Sequence, residues 1–113
     1  MKTEIMYIEC KDAGLSNPGR IVRVSFSKSG KTIKYRGLKL QSLKGAGYKA
    51  NYYNTETGLR YWVSRPHKDG RDSLYPQKVS IDPDVCDEYW LNIREEPENI
   101  DLLWFKSPGK DWS

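Results

Sequence analysis

Histidine occurs once, and cysteine and phenylalanine twice each, in a chain of 113 residues. One imidazole, His67, and two thiols, Cys10 and Cys86, leave little material for a zinc site built from several Cys or His ligands. The thiols lie too far apart for a metal knuckle or a CxxC redox pair, and one potential disulfide is a weak argument for export, so both are expected to be ordinary reduced cysteines. No run of about eighteen apolar residues occurs, which excludes an ordinary helical membrane span. The amino terminus also lacks the basic-then-apolar pattern of a secretory signal. A cytoplasmic protein with no membrane contact, no metal and no cofactor is therefore expected.

Acidic residues are missing altogether between Ala13 and Thr55, where nine basic ones stand. Residues 1–78 hold sixteen Lys or Arg against six Asp or Glu, whereas residues 79–113 hold three against nine. Such asymmetry fits a surface for nucleic acid or another acidic partner followed by a neutralising element, or a tail that folds over the basic surface and cancels it. Aromatic residues make up 12% of the chain, enough large side chains to argue against intrinsic disorder. The length suits one compact domain and is too short for a two-domain enzyme.

Period-two alternation predicts most of the elements. Between Glu4 and Glu9 both faces of a short strand would be apolar, with Ile5 and Tyr7 on one side and Met6 and Ile8 on the other. Val22, Val24 and Phe26 share one face of a clearer strand over Arg20 to Ser27. The turn at Lys28, Ser29 and Gly30 returns the chain along Lys31 to Arg36, and Gly37 permits a reversal or a bulge before Leu38 and Leu40 resume the pattern. A second hairpin is expected from Ala50–Asn54 and Leu59–Ser64, with Tyr52, Tyr53, Tyr61 and Trp62 unable to share one face. Arg65 to Ser73 reads as a loop, and Lys78 to Ile81 as a short strand.

Asp82 as N-cap and Pro83 at the first position start a helix over 83–95, with Val85, Cys86, Tyr89, Trp90 and Ile93 as its apolar stripe. Its solvent face is expected to carry Asp87, Glu88, Asn92 and Arg94. Ile100 to Phe105 is expected to be a last strand or a docking segment. The fold class is thus mainly β (α+β): a curled antiparallel sheet or small SH3-like barrel of five or six strands with one C-terminal helix. Residues 1–96 form the domain with its capping helix, and 97–113 a tail or docking segment.

The stretches FSKSGKTIKYRG, SLKGAGYKANYY, TETGLRYWVSRPHKDGRDSLY and VSIDPDVCDEYWLNIR resemble a family of small bacterial proteins with no established function, some of them labelled 1-deoxy-D-xylulose-5-phosphate synthase. The resemblance covers most of residues 5 to 95. A thiamin-diphosphate synthase needs several hundred residues with cofactor-binding domains and a metal-diphosphate site, which do not fit here, so the resemblance implies no catalytic or cofactor residue.

Three constellations bear on function. In KGAGYK, Gly45 and Gly47 can aim backbone N–H groups at an anion, but the GxxxxGK spacing of a phosphate-binding loop is absent. His67, with Lys68, Asp69, Asp72 and Tyr75, makes a thin set for acid-base chemistry or a divalent ion, and the Asp side chains are better placed to cap their own loop. The third is the basic segment itself, where Arg23, Lys34, Arg36, Lys39, Lys44 and Lys49 alternate with Tyr48, Tyr52 and Tyr53. Lys34, Arg36 and Lys39 would share a face if Gly37 shifts the pleat. The expected function is non-catalytic binding of an acidic macromolecular partner, a protein in the first instance. Single-stranded nucleic acid is the alternative, and a small enzyme around His67 a minor one.

Overall fold

The computed structural model describes residues 2–11, 19–43, 51–73 and 76–109. Its first six strands are β1 (Lys2–Cys10), β2 (Arg20–Phe26), β3 (Thr32–Tyr35), β4 (Leu38–Ser42), β5 (Tyr52–Asn54) and β6 (Arg60–Ser64). Each pairs antiparallel with the next, and β6 pairs back onto β1, so the sheet closes as a six-stranded barrel. Closure removes the two open edges that a flat sheet of this size would present. Of the two expected forms, a curled antiparallel sheet or a small SH3-like barrel, the structure is the closed barrel.

Two further strands leave the barrel. β7 (Gln77–Ile81) runs parallel to the first residues of β2, and β8 (Trp104–Ser107) lies antiparallel on β7. β2 therefore carries β1 along one edge and divides the other between β7, at Arg20 and Ile21, and β3, at Ser25 and Phe26. Gly19, just ahead of β2, lies against the Tyr7 ring, where a β-carbon would collide with the phenol.

Burial separates into two clusters, one on each side of the β1–β2 wall. Met6, Ile8, Val22, Val24, Ile33 and Leu40 fill the barrel, joined by Val63. On the outer wall Tyr7 and Ile21 meet Val85, Tyr89 and Trp90, together with Val79 and Phe105 from β7 and β8. This double burial explains why β1 is apolar on both faces. Each fully buried large side chain contributes roughly 1.5–3 kcal/mol, so the outer cluster rivals the barrel interior as a source of stability.

The connection that covers the outer wall is α1 (83–93), a helical segment of changing pitch. It opens with a 3-10 turn at Pro83–Val85, continues as one α-turn at Cys86–Glu88 and widens to a π-turn at Tyr89–Ile93. Of the expected apolar stripe Val85, Cys86, Tyr89 and Trp90 are buried and Ile93 half-buried, but the helix ends at Ile93 rather than 95, and Glu95 takes a positive φ of 55°. Leu102 ties the returning chain to it: its carbonyl accepts from the Trp90 indole at 2.8 Å and from the Cys86 thiol at 3.1 Å. Ile100 to Phe105 is thus strand only from Trp104 onward.

Two expectations about α1 fail. Asp82 makes no side-chain cap, since its carboxylate is taken by residues of the barrel. Arg94 does not face water: its side chain is 12% exposed, and its guanidinium stands 4.9 Å from the centres of both the Trp90 and Phe105 rings. Its Nη1 donates to the Tyr89 hydroxyl at 2.9 Å and its Nε to Glu96 at 3.1 Å. A cation over aromatic faces with its N–H groups satisfied can be enclosed at modest cost.

Candidate binding surface

Among the described residues, the outer cluster under α1, β7 and β8 takes in Ile5 and Tyr7 of β1, Ile21 of β2 and Trp62 of β6. It takes in no residue of β3, β4 or β5. Alternation turns Ile33, Tyr35, Leu38 and Leu40 inward and leaves Thr32, Lys34, Lys39 and Gln41 outside. Tyr35 and Leu38 face each other across a two-residue loop, Arg36 and Gly37, in which both residues take positive φ, 42° and 84°. That primed turn sets the register of the hairpin. It places Lys34 directly opposite Lys39.

In this register the Lys34–Lys39 pair is a non-hydrogen-bonded one, the type in which Cα atoms approach to roughly 4.5 Å and opposing side chains stand closest. Like charges so placed repel. Both side chains are exposed, and among the described residues no carboxylate forms an ion pair with either. The next row of the wall runs Thr32, Gln41, Tyr53 and Arg60 from strand to strand. Tyr53 is half-buried and turned outward beside Gln41 and Arg60.

The other basic residues of the segment go elsewhere. Arg23 lies on the outer face of β2 but donates to Glu88 of α1 at 2.6 Å. Arg36, expected to share a face with Lys34 and Lys39, occupies the hairpin turn instead, and its Nη2 lies 3.3 Å from Asp82 Oδ2. Asp82 also accepts from Arg20 at 2.9 Å and from the Tyr35 hydroxyl at 2.7 Å. Burial, and then this hydrogen bond to Asp82, push the Tyr35 phenol up to about 12. The acidic part of the chain thus meets three of the arginines, while among the described residues no carboxylate opposes Lys34 or Lys39.

Tyr52 does not reach the wall either. Its ring packs against the barrel interior, its hydroxyl donates to the Gly30 carbonyl at 3.1 Å, and burial raises its phenol. Lys44, Tyr48 and Lys49, with the rest of KGAGYK, lie outside the described residues. Of the residues singled out in the sequence, the structure therefore brings together Lys34, Lys39 and Tyr53, and adds Arg60, whose turn-flanking position carried no signal of its own.

His67 is exposed, and its backbone N–H donates to Asp72 Oδ1 at 2.7 Å, while Asp69 accepts from the backbone of Arg71 at 3.1 Å. The loop carboxylates cap their own backbone, as the turn chemistry implied. A cleft of about 360 Å³ lies at Lys2, Phe26 and Lys28, and another of about 230 Å³ between Ile5, Arg23, Glu88 and Asn92; His67 lines neither. Among the described residues no three His, Cys, Asp or Glu side chains converge as metal ligands, and no helix is long and apolar enough to cross a membrane. No family model, curated protein or solved structure matches the chain.

Proposed function

We propose that this protein is a non-catalytic binding module whose barrel wall around Lys34, Lys39 and Tyr53 takes an acidic protein surface. The observation that carries the reading is the Lys34–Lys39 pair, two like charges held at closest cross-strand approach with no counter-ion among the described residues. Such a pair lowers the stability of the free protein, and an acidic partner relieves it. A protein is favoured over single-stranded nucleic acid because base stacking needs a row of outward rings. Tyr35 and Tyr52 are turned into the barrel, so among the described residues of β3, β4 and β5 Tyr53 is the one ring turned outward.

The test is titration of the full chain with a glutamate-rich peptide and with single-stranded RNA over a range of salt. Peptide binding that weakens about tenfold in the Lys34→Glu/Lys39→Glu variant is expected. Tighter binding to RNA, with a salt slope that drops when the two lysines are changed, would replace this reading by the nucleic-acid one. Unchanged affinity in the variant for both ligands would remove the wall as a site.

A further inference from the structure

β8 is the outermost strand of the sheet, and its backbone is half used. Ile81 N–H donates to Leu103 O at 2.8 Å, and in the same register Val79 faces Phe105 and Gln77 faces Ser107. Hydrogen-bonded and non-hydrogen-bonded pairs alternate in an antiparallel ladder. Leu103, Phe105 and Ser107 therefore turn their backbone polar groups to β7. Those of Trp104 and Lys106 point away from it, and among the described residues no strand receives them.

The side chains along this edge are unusual for an open strand. Trp104 is 48% exposed and follows exposed Leu102 and Leu103. Beside it the Lys78 ammonium stands 5.0 Å from the indole centre. Lys78 is also the direct partner of Lys106, a second like-charge pair at a non-hydrogen-bonded position, and no carboxylate pairs with either among the described residues. Edge strands that are meant to stay alone are protected by charge and kept free of large apolar side chains. This edge has charge of one sign beside an exposed indole.

We infer that the free edge of β8 accepts an extended acidic peptide as an added antiparallel strand. The backbone groups of Trp104 and Lys106 supply the ladder, Lys78 and Lys106 supply charge complementarity, and the indole supplies apolar contact. Register defines the ligand further. The residue opposite Lys106 stands two places before the residue opposite Trp104, and both share the face that carries Lys78. The peptide therefore reads acidic, any residue, apolar, from its amino to its carboxyl end. This surface is separate from the Lys34–Lys39 wall and does not depend on it.

The experiment is amide hydrogen exchange on the full chain, with and without capped peptides of about eight residues, enough for one strand. One peptide carries Glu and Val two places apart, a second has them in reversed order, and a third is N-methylated at the Glu. Slowing of exchange at Trp104 and Lys106 by about tenfold with the first peptide, and by much less with the others, is the expected result. Lys106→Pro removes an N–H that does not bond β7, so it should abolish peptide binding while leaving the melting temperature near that of the parent. Should the variant fail to fold, the N-methylated peptide still decides. Equal binding of all three peptides would overturn the inference. So would protection of the two amides in the free chain, whether from its own end or from a second copy, and so would a loss greater than about threefold in Lys34→Gln/Lys39→Gln, which would assign the peptide to the barrel wall.

Discussion

The Tyr35 hydroxyl donates to the Asp82 carboxylate at 2.7 Å, joining the last residue before a surface hairpin turn to the residue that opens α1. Asp82 is 1% exposed, whereas the side chains of its two cationic partners, Arg20 and Arg36, are 48% and 64% exposed. The carboxylate is the only fully enclosed charge of the group. It ties the hairpin tip and the start of β2 to the junction between β7 and α1.

Asp82→Asn should therefore destabilise the protein by about 1.5–3 kcal/mol, the range for a hydrogen bond to a charged acceptor. The loss stays below that of a fully buried ion pair because both arginines remain solvated. Urea unfolding measures it. A change below about 0.5 kcal/mol would mean that the tip is held by the turn alone.

Alkaline pH should weaken the fold through its tyrosines. Tyr35 titrates at about 12, and burial raises Tyr7 and Tyr89 as well, whereas an unfolded tyrosine loses its proton near 10. Below pH 10 both states hold these protons and the contribution is complete. As pH rises further the unfolded chain ionises first, so stability falls, and the share from Tyr35 is gone once its folded-state value is passed. Denaturation midpoints measured between pH 9 and 12 should drop, and less steeply in Tyr35→Phe.

Asp72 is 1% exposed, and its Oδ2 has no hydrogen-bond partner among the described residues. Burial raises its carboxyl above the ordinary value, against the lowering effect of the His67 N–H. Its ionised form is thus a burden at neutral pH. Asp72→Asn should be more stable than the parent at pH 7 by about 1 kcal/mol, the scale of one unpaired buried polar group. The difference should close as pH falls below the carboxylate range, where the parent carries the proton too.

Lys39→Glu should raise stability by about 0.2–1 kcal/mol, because a repulsive cross-strand pair becomes an attractive one. The same change should weaken binding of an acidic peptide to the wall. Thermal unfolding and peptide titration on one variant separate the two effects, and a fall in both would show that Lys39 supports the fold.

Gly70 has a φ of 78°, and a β-carbon there would sit 2.8 Å from Arg94 Nη1. Gly70→Ala should cost about 2 kcal/mol, combining an unfavourable backbone with displacement of the guanidinium from its rings. Calorimetry checks the size, and a small loss would mean that Arg94 swings aside freely.

Much of this architecture was legible beforehand because period-two alternation acts locally. Val22, Val24 and Phe26, or Ile33 and Tyr35, declare a buried side without reference to any other strand. The i, i+3, i+4 stripe from Val85 to Ile93 did the same for the cap. Asp82 and Arg94 were misread for the converse reason. Asp82 was read from a capping rule and Arg94 from the polar side of the helical stripe, yet Asp82 bonds to Arg20 across 62 positions, and Arg94 packs its guanidinium against Phe105, a residue of β8.

The binding surfaces divide along the same line. Sequence alone determined that Lys34 and Lys39 alternate with core residues, that the middle of the chain is basic, and that Tyr52 and Tyr53 point to opposite sides. Tertiary structure decided which positive charges meet a carboxylate, that β6 closes onto β1, and that Lys78 stands opposite Lys106 beside an exposed Trp104. Alternation states which side of a strand a residue takes. It carries no information about which strand lies opposite, and ion pairs, ladder edges and like-charge pairs are all properties of that second choice.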